Sequence, residues 1–308
     1  MRQTVTAFLD FVEIRTKLAT VLPFLIALAY VFYTTGRINL HSTLIYFVAA
    51  LMLDMSVTAI NNHFNTREEK KPTHYSSFKS LAIIGGMLVV FAGLGLYLVY
   101  LHGLTILFAG VFCLLVGVAY SYGPAPICKT PYGEAASGFT IGTVVTFIVI
   151  SINNPYFTPL GLSFCPTELR LMLNMDLPAL ILFGLVTLPA VFCIANIMLA
   201  NNICDEQADR SFRYTLVHSI GVSKSLKLFS ALYYCAYATI LCAVILRQIP
   251  PWTLLVFLTY LPVRSNIRRF REKQSKAETF VLSVKNATMI LLAYAITIAI
   301  GGLLQQLP

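Results

Sequence analysis

The sequence predicts an all-α, polytopic membrane helix bundle, and three observations carry that expectation. Of its 308 residues, 57% are hydrophobic and only 11% are charged, where a soluble chain carries about 25% charge. The apolar residues come in long blocks rather than at the spacing of an amphipathic surface helix. The basic residues between those blocks can be assigned almost entirely to one side of a membrane. Residues 1–308 are therefore expected to form a single transmembrane domain, with no room for a sizeable soluble one.

Apolar blocks between polar breaks give nine expected spans: Leu18–Tyr33, Leu44–Ile60, Leu81–Leu101, Leu104–Tyr120, Ala135–Ile152, Pro178–Ala200, Leu228–Leu246, Pro250–Val263 and Ala287–Leu304. The first block contains Ala27-Leu28-Ala29, which is similar to a leader cleavage site. Met1–Lys17 has no short apolar core, and eight more blocks follow, so this block reads as an uncleaved span. The eighth, Pro250–Val263, is shorter than the ~20 residues a bilayer core normally needs. It is kept as a short or thinned span, because a re-entrant segment would put the basic run Arg264–Lys276 on the wrong side.

With the N-terminus in the cytoplasm, only Arg37, Arg170 and Arg247 of the 22 lysines and arginines fall outside. The C-terminus is then extracytoplasmic. This inner-face excess accounts for the formal net charge of +9, so nucleic-acid binding need not be invoked; the partner is the lipid bilayer. The seven cysteines (Cys113, Cys128, Cys165, Cys193, Cys204, Cys235 and Cys242) fall mostly within apolar blocks and form no CxxC pair. They read as small core residues rather than metal ligands or disulfide partners.

Two inner loops stand out. The second span runs into Asn61-Asn62-His63-Phe64-Asn65-Thr66-Arg67-Glu68-Glu69-Lys70-Lys71. The sixth runs into Asn201-Asn202-Ile203-Cys204-Asp205-Glu206-Gln207-Ala208-Asp209-Arg210. Asn61, Asn65 and Glu69 in the first match Asn201, Asp205 and Asp209 in the second, each set spaced by four residues. That spacing stacks oxygen-bearing side chains on one helix face. Carboxylate and amide oxygens suit Mg²⁺, which is commonly held by a few carboxylates plus substrate phosphates. Arg67, Lys70, Lys71, Arg210 and Arg213 supply cations for phosphate oxygens. The chemistry that needs both is ionisation of a diphosphate. Solvated helix ends explain either cluster alone, but not two with matched spacing on one side.

Asn202-Ile203-Cys204-Asp205-Glu206-Gln207-Ala208-Asp209-Arg210, followed by Thr215-Leu216 and Gly221, resembles the second aspartate-rich motif of the UbiA superfamily of membrane prenyltransferases. Within it, the likeness is greatest to the MenA branch, the 1,4-dihydroxy-2-naphthoate polyprenyltransferases. Tyr120-Ser121-Tyr122-Gly123-Pro124-Ala125-Pro126 with Gly133-Glu134 resembles the family's loop after the fourth helix. Glu13-Ile14-Arg15-Thr16-Lys17 resembles the basic start of its first helix. The resemblance covers nearly the whole chain and implies a UbiA-like fold of nine transmembrane helices. The first motif departs: where the family pattern is similar to NDxxDxxxD, this chain has Asn62 and Asn65 in place of aspartates. An amide still ligates Mg²⁺ but brings no charge, with Glu68 or Glu69 in position to compensate.

The resemblance implies that Mg²⁺ on a polyprenyl diphosphate is held by Asn65, Glu69, Asp205 and Asp209, with Asn61, Asn201 and Asn202 assisting. Arg15, Lys17, Lys70, Arg210 and Arg213 are the candidates for steadying the leaving diphosphate. An aromatic acceptor, 1,4-dihydroxy-2-naphthoate in the MenA branch, then captures the allylic cation at a site facing the cytoplasm. Asp54, the one carboxylate well inside a span, lies about two turns deeper than Asn61 on the same face. It either contacts or deprotonates the acceptor or makes a structural hydrogen bond. Tyr120 and Tyr122 either wall the cation or acceptor or are interfacial tyrosines. Glu134 reads as a helix N-terminal residue, and His63 as a residue that could touch diphosphate. Other acceptors of the superfamily, such as 4-hydroxybenzoate, remain open. So do a member that has lost activity and a transporter with repeated halves.

Overall fold

The structure is a computed structural model that describes residues 2–68, 75–157, 159–165, 170–210 and 213–307. A short helix α1 (Arg2–Phe11) and a 3-10 turn (Ile14–Lys17) lead into the bundle. The first helices that can span are α2 (Leu18–Thr35), α3 (Leu40–Glu68), α4 (Ser77–His102), α5 (Leu104–Ser121) and α6 (Gly133–Asn153). After a hairpin come α7 (Leu177–Cys204), the short α8 (Glu206–Asp209) and α9 (Leu216–Ile220), and α10 (Val222–Ile245). A 3-10 stretch (Pro251–Thr259) continues as α11 (Tyr260–Glu272), and α12 (Phe280–Gln306) closes the chain. Among the described residues, eight helices are long and apolar enough to cross a membrane. They contain eight of the nine expected spans.

The remaining expected span, Pro250–Val263, is the composite of the 3-10 stretch and the start of α11. Pro262 has no N–H to give to the carbonyl four residues back, and its ring crowds that carbonyl, so the α-helix does not extend back through Leu258. A 3-10 helix rises about 2 Å per residue, so nine such residues reach about 18 Å before α11 begins. The segment therefore covers more depth than its length suggests. It then emerges as an amphipathic end, with Val263, Ile267 and Phe270 buried and Arg264, Arg268, Arg269 and Arg271 exposed.

The connection from Asn153 to Asp176 contains an antiparallel pair: β1 (Leu160–Cys165) and β2 (Arg170–Met175). Leu162 pairs with Leu173 and Phe164 with Leu171, an alternation of apolar residues that suits strands. The hairpin is fastened to α5 at Thr105, whose Oγ1 accepts from Leu162 N at 3.0 Å. The next turn is short and sharp: Asp176 Oδ1 accepts from Ala179 N at 3.0 Å and caps α7.

Two large apolar cores meet along α2 and α7. One joins α2 and α7 to α10, the 3-10 stretch, α11 and α12. The other joins α2 to α3, α5 and α6, with Phe183 of α7. A smaller cluster packs α1 onto α3 and α4. The α6–α7 contact is close, backbone against backbone. A Cβ on Gly142 would lie 2.6 Å from Val191 N, and one on Gly138 2.7 Å from Val191 O. The Gly138–Gly142 spacing is that of the small-residue pair by which helices in lipid approach closely. A π turn, Thr140–Val144, widens α6 at the same level.

The two ends of the bundle are distinct. At one, Asn39 N donates to Asn153 Oδ1 (2.7 Å), Gln306 Nε2 donates to Gly36 O (3.1 Å), and His102 meets Ser42 Oγ (2.8 Å). The hairpin is at this end too. At the other, α3, α5 and α7 finish and the polar clusters begin. Substituting Gly142→Ala should lower the melting temperature of the detergent-solubilised protein by an overpacking penalty of about 1–3 kcal/mol. Gly93→Ala on α4, where a Cβ meets nothing within 4 Å, should leave it unchanged; equal melting of the two variants would refute the close α6–α7 seam.

Candidate functional site

Helix α7 brings its polar residues out of the apolar core in one-turn steps. Asp205 N bonds Asn201 O (3.0 Å), Asp209 N bonds Asp205 O (2.8 Å) and Arg213 N bonds Asp209 O (2.9 Å). Asn201, Asp205, Asp209 and Arg213 therefore stack along one face, as the spacing by four requires. These carboxylates sit at a helix C-terminus, where the macrodipole disfavours negative charge. Each has a cation beside it. Arg213 Nε lies 3.6 Å from Asp209 Oδ1, and Lys276 Nζ lies 2.5 Å from Asp205 Oδ2. The Lys276 ammonium also donates to Asn201 Oδ1, while Asn201 Nδ2 donates to Asp205 Oδ2 at 3.3 Å. Arg210 points outward, 80% exposed and 4.0 Å from Glu206.

Asn202, expected among the diphosphate groups, turns the other way. It is buried, and its Nδ2 donates to Glu134 Oε1 at 2.9 Å. Glu134 thereby braces the start of α6 against the end of α7, a contact the reading of Glu134 as a simple helix-end residue did not include. The loop before α6 closes on the same region, with Tyr214 N donating to Lys129 O at 2.9 Å. Tyr120 is half-buried there, with Ser137, Cys128, Glu134 and Arg213 as neighbours. Burial pushes the Cys128 thiol above its ordinary value, with Arg213 and Lys129 pulling it down. It stays a neutral thiol near pH 7.

The first cluster reaches this region through α5. Ser121 Oγ donates to Val57 O at 3.1 Å, and the exposed ring of Tyr122 lies 4.3 Å from that of Phe64. The ends of α3 and α7 are thus tied to the two ends of one short connection, from Tyr122 to Glu134, at the same end of the bundle. Asn61 is half-buried at the end of α3. Glu69 and Lys70 lie outside the described residues, as do the side chains of Arg15 and Asn65. Buried His63 packs edge-on to Phe64, ring centroids 4.9 Å apart. His218, a helix-end residue, caps α9 with Thr215, and its Nε2 lies 3.2 Å from Glu206 O.

Asn62 has a local reason to be an amide. Its Nδ2 donates to Phe11 O at 3.0 Å and to Glu13 Oε1 at 3.2 Å. An aspartate there would lose both donations and face a second carboxylate. The departure from the aspartate pattern is thus matched by Glu13 and the turn after α1.

Lys17 and Asp54 meet each other. Lys17 Nζ donates to Asp54 Oδ1 (2.8 Å) and Thr58 Oγ1 (2.5 Å), and Thr20 Oγ1 donates to Asp54 Oδ2 (2.6 Å). The lysine side chain is 5% exposed and the aspartate 22%. Asp54 and Lys17, both expected at the site, thus carry hydrogen bonds to each other and to the two threonines.

Among the described residues, no group of three or more His, Cys, Asp or Glu is gathered as a metal site. The oxygens of Asn201 and Asp205 nevertheless converge on one cationic nitrogen, and hard oxygen donors around a positive centre are the set Mg²⁺ accepts. The residues present fit that ion, with substrate phosphate oxygens needed to complete its shell.

A family model described as the UbiA prenyltransferase family matches residues 20–292. A stretch of 167 residues is 29% identical to the 1,4-dihydroxy-2-naphthoate octaprenyltransferase of Bacillus subtilis (strain 168), covering 54% of this chain and 47% of that protein. The match thus spans about half the length of that relative. A solved UbiA homolog from Archaeoglobus fulgidus, bound to GPP and Mg²⁺, superposes with a TM-score of 0.65 over 95% of this chain and 99% of its own, at 12% identity. The apo structure of a UbiA homolog from Aeropyrum pernix K1 superposes with a TM-score of 0.60 over 94% and 98%, at 18% identity. These two show a shared fold.

Removing one partner of a buried ion pair strands the other charge, at about 3–5 kcal/mol. Lys17→Met and Asp54→Leu should each lower the melting temperature, and the double variant should recover most of the loss. Additive losses in a double-mutant cycle would mean that the two do not interact.

Proposed function

The chain belongs to the UbiA prenyltransferase family, and we propose that it is a multi-pass membrane prenyltransferase that transfers a polyprenyl chain from its diphosphate to 1,4-dihydroxy-2-naphthoate. The observation that carries the reading is the convergence of Asn201 and Asp205 on one positive centre, at the bundle end where α3 also delivers its polar run. The 29% match to a naphthoate octaprenyltransferase supports the acceptor.

In this reading Asn201, Asp205 and Asp209 of the second motif and Asn61, Asn65 and Glu69 of the first are the oxygen ligands for Mg²⁺. When bound, Mg²⁺ neutralises diphosphate charge so that the bond from the allylic carbon to oxygen can ionise. Arg213 is already held beside Asp209 and takes the leaving diphosphate with little further ordering; Lys70, next to Glu69 in the sequence, and Arg15, before the first span, are the further candidates. Exposed Arg210 guides the anion from solution. Tyr120 and Tyr122 offer aromatic faces to the allylic cation and the acceptor ring. Asn202 acts through Glu134, fixing α7 against α6, and Asp54 with Lys17 fixes α2 against α3. The ring carbon bearing the carboxylate forms the new bond to the prenyl carbon. Loss of CO₂ then returns its electron pair to the ring. The prenyl tail lies among apolar helices or passes sideways into lipid.

The lysine and arginine excess supports a cytoplasmic site end and an extracytoplasmic C-terminus, so alkaline phosphatase fused after Pro308 should be active. Membranes carrying the protein should transfer a labelled prenyl chain in the presence of Mg²⁺, and chelation should stop the reaction. Asp205→Ala should lower the rate by about 10²–10³-fold; transfer that survives both would refute the site. In an acceptor panel, dihydroxynaphthoate should be prenylated and 4-hydroxybenzoate should not; the reverse result would move the acceptor while leaving the chemistry.

A further inference from the structure

Lys276 lies 71 residues from Asp205 in sequence, in a stretch whose positive charge is otherwise explained by topology. The connection from α11 to α12 is not slack. Thr279 Oγ1 donates to Lys273 O (2.8 Å) and accepts from Ser275 N (2.9 Å), Phe280 N donates to Ser275 O (3.0 Å), and Lys273 pairs with Glu278 at 2.6 Å. This folded turn delivers Lys276 over the Phe280 ring, 5.1 Å from its centroid, and onto both Asn201 and Asp205. The lysine is 47% exposed and Asp205 27%, and ion pairs so open to water are weakly held.

Resting on the metal site proposed above, we propose that Lys276 is a resident cation of that site. Without substrate, its ammonium occupies the position between Asn201 and Asp205, balancing the carboxylate and keeping both oxygens pointed at one centre. Arrival of the metal-bound diphosphate displaces it. The displaced ammonium, tethered by its compact turn and a flexible four-carbon stem, then donates to the diphosphate oxygens a few ångströms away. No covalent bond changes; one cation is exchanged for another, and Lys276 moves from a protein oxygen to a substrate oxygen. Three facts join here. The two acceptors are the ones assigned to the metal, the contact is exposed enough to break, and the turn is ordered enough to hold the ammonium nearby.

The test uses the full-length protein in detergent or nanodiscs, with Mn²⁺ binding followed by electron paramagnetic resonance in the absence of substrate. Lys276→Met removes the competing cation, so Mn²⁺ alone should bind about tenfold more tightly, since the competent state no longer has to be vacated. In the presence of Mg²⁺, the same variant should bind a non-ionising analogue, geranylgeranyl thiolodiphosphate, roughly tenfold to hundredfold more weakly, the loss of one charge-assisted hydrogen bond. KM for the prenyl diphosphate should rise more than kcat falls. Lys276→Arg keeps the charge and should stay near wild type in Mn²⁺ affinity, which separates a charge effect from a disturbed loop. Unchanged or weaker Mn²⁺ binding by Lys276→Met, or unchanged analogue binding, would overturn the proposal. Asp205→Asn is measured in parallel. If it leaves Mn²⁺ binding intact, the metal assignment itself fails; if it abolishes binding while Lys276→Met changes nothing, only the role of Lys276 fails.

Discussion

The molecule is organised by the expense of leaving a charge uncompensated in apolar surroundings. Helices that cross lipid can satisfy their own backbone, but a side-chain ion within them needs a partner or a route to water. The chain meets this in two ways. It pairs Lys17 with Asp54 and surrounds the pair with Thr20 and Thr58 hydroxyls, and it carries nearly all other charge to the helix ends. A site made from charged groups can then assemble only where several helices finish together, and α3, α5 and α7 do so at one end. The position of the polar clusters follows from solvation before any reaction is considered.

Solvation does not set the distances between those ends; packing does. Gly138 and Gly142 let α6 lie almost backbone to backbone on α7, and Asn202 fastens the start of one to the end of the other through Glu134. Tyr122 on Phe64 and Ser121 on Val57 carry the same rigidity to α3. Three asparagines that look alike in sequence thus divide their labour. Asn201 presents its oxygen to a cation, whereas Asn62 and Asn202 use their N–H groups to hold the framework. An amide is suited to the second task because a carboxylate has no proton to donate.

Much of this was legible in the sequence, for identifiable reasons. Eight spans are readable because twenty apolar residues in succession leave few alternatives to a crossing helix. The stretch Pro250–Val263 was hard because two prolines at its start and Pro262 near its end favour 3-10 over α geometry, and depth per residue cannot be read from composition. The hairpin was hidden because Leu160–Cys165 and Arg170–Met175 are each short enough for alternation to pass as chance. The i, i+4 stacking of Asn201, Asp205 and Asp209 was readable from spacing alone. What was not readable is which distant residues meet Asn62, Asn202 and the row of Asn201 and Asp205. Glu13, Glu134 and Lys276 come from segments far from their partners, and nothing local in those segments marks them. Lysine in a basic loop is fully explained by topology, so the contact of Lys276 with Asn201 and Asp205 shows only in three dimensions.

The two cations beside the second acidic row also differ in a way that bears on how such a site is kept ready. Two carboxylates at a helix C-terminus repel each other and oppose the helix dipole, so a bare row would tend to splay or bind stray cations. Arg213 answers this for Asp209 from the next turn of the same chain segment, largely buried at 16% exposure. A guanidinium so placed is delocalised and hard to remove. Lys276 answers it for Asp205 from another segment, through a compact point charge in half-open surroundings. In the proposed site, neutralisation fixed on one carboxylate and exchangeable on the other would keep the row intact while leaving one position for a stronger cation. An acidic row balanced twice by buried arginines would be more stable and less able to accept a metal, and one with no cation at all would have no reason to hold its oxygens together.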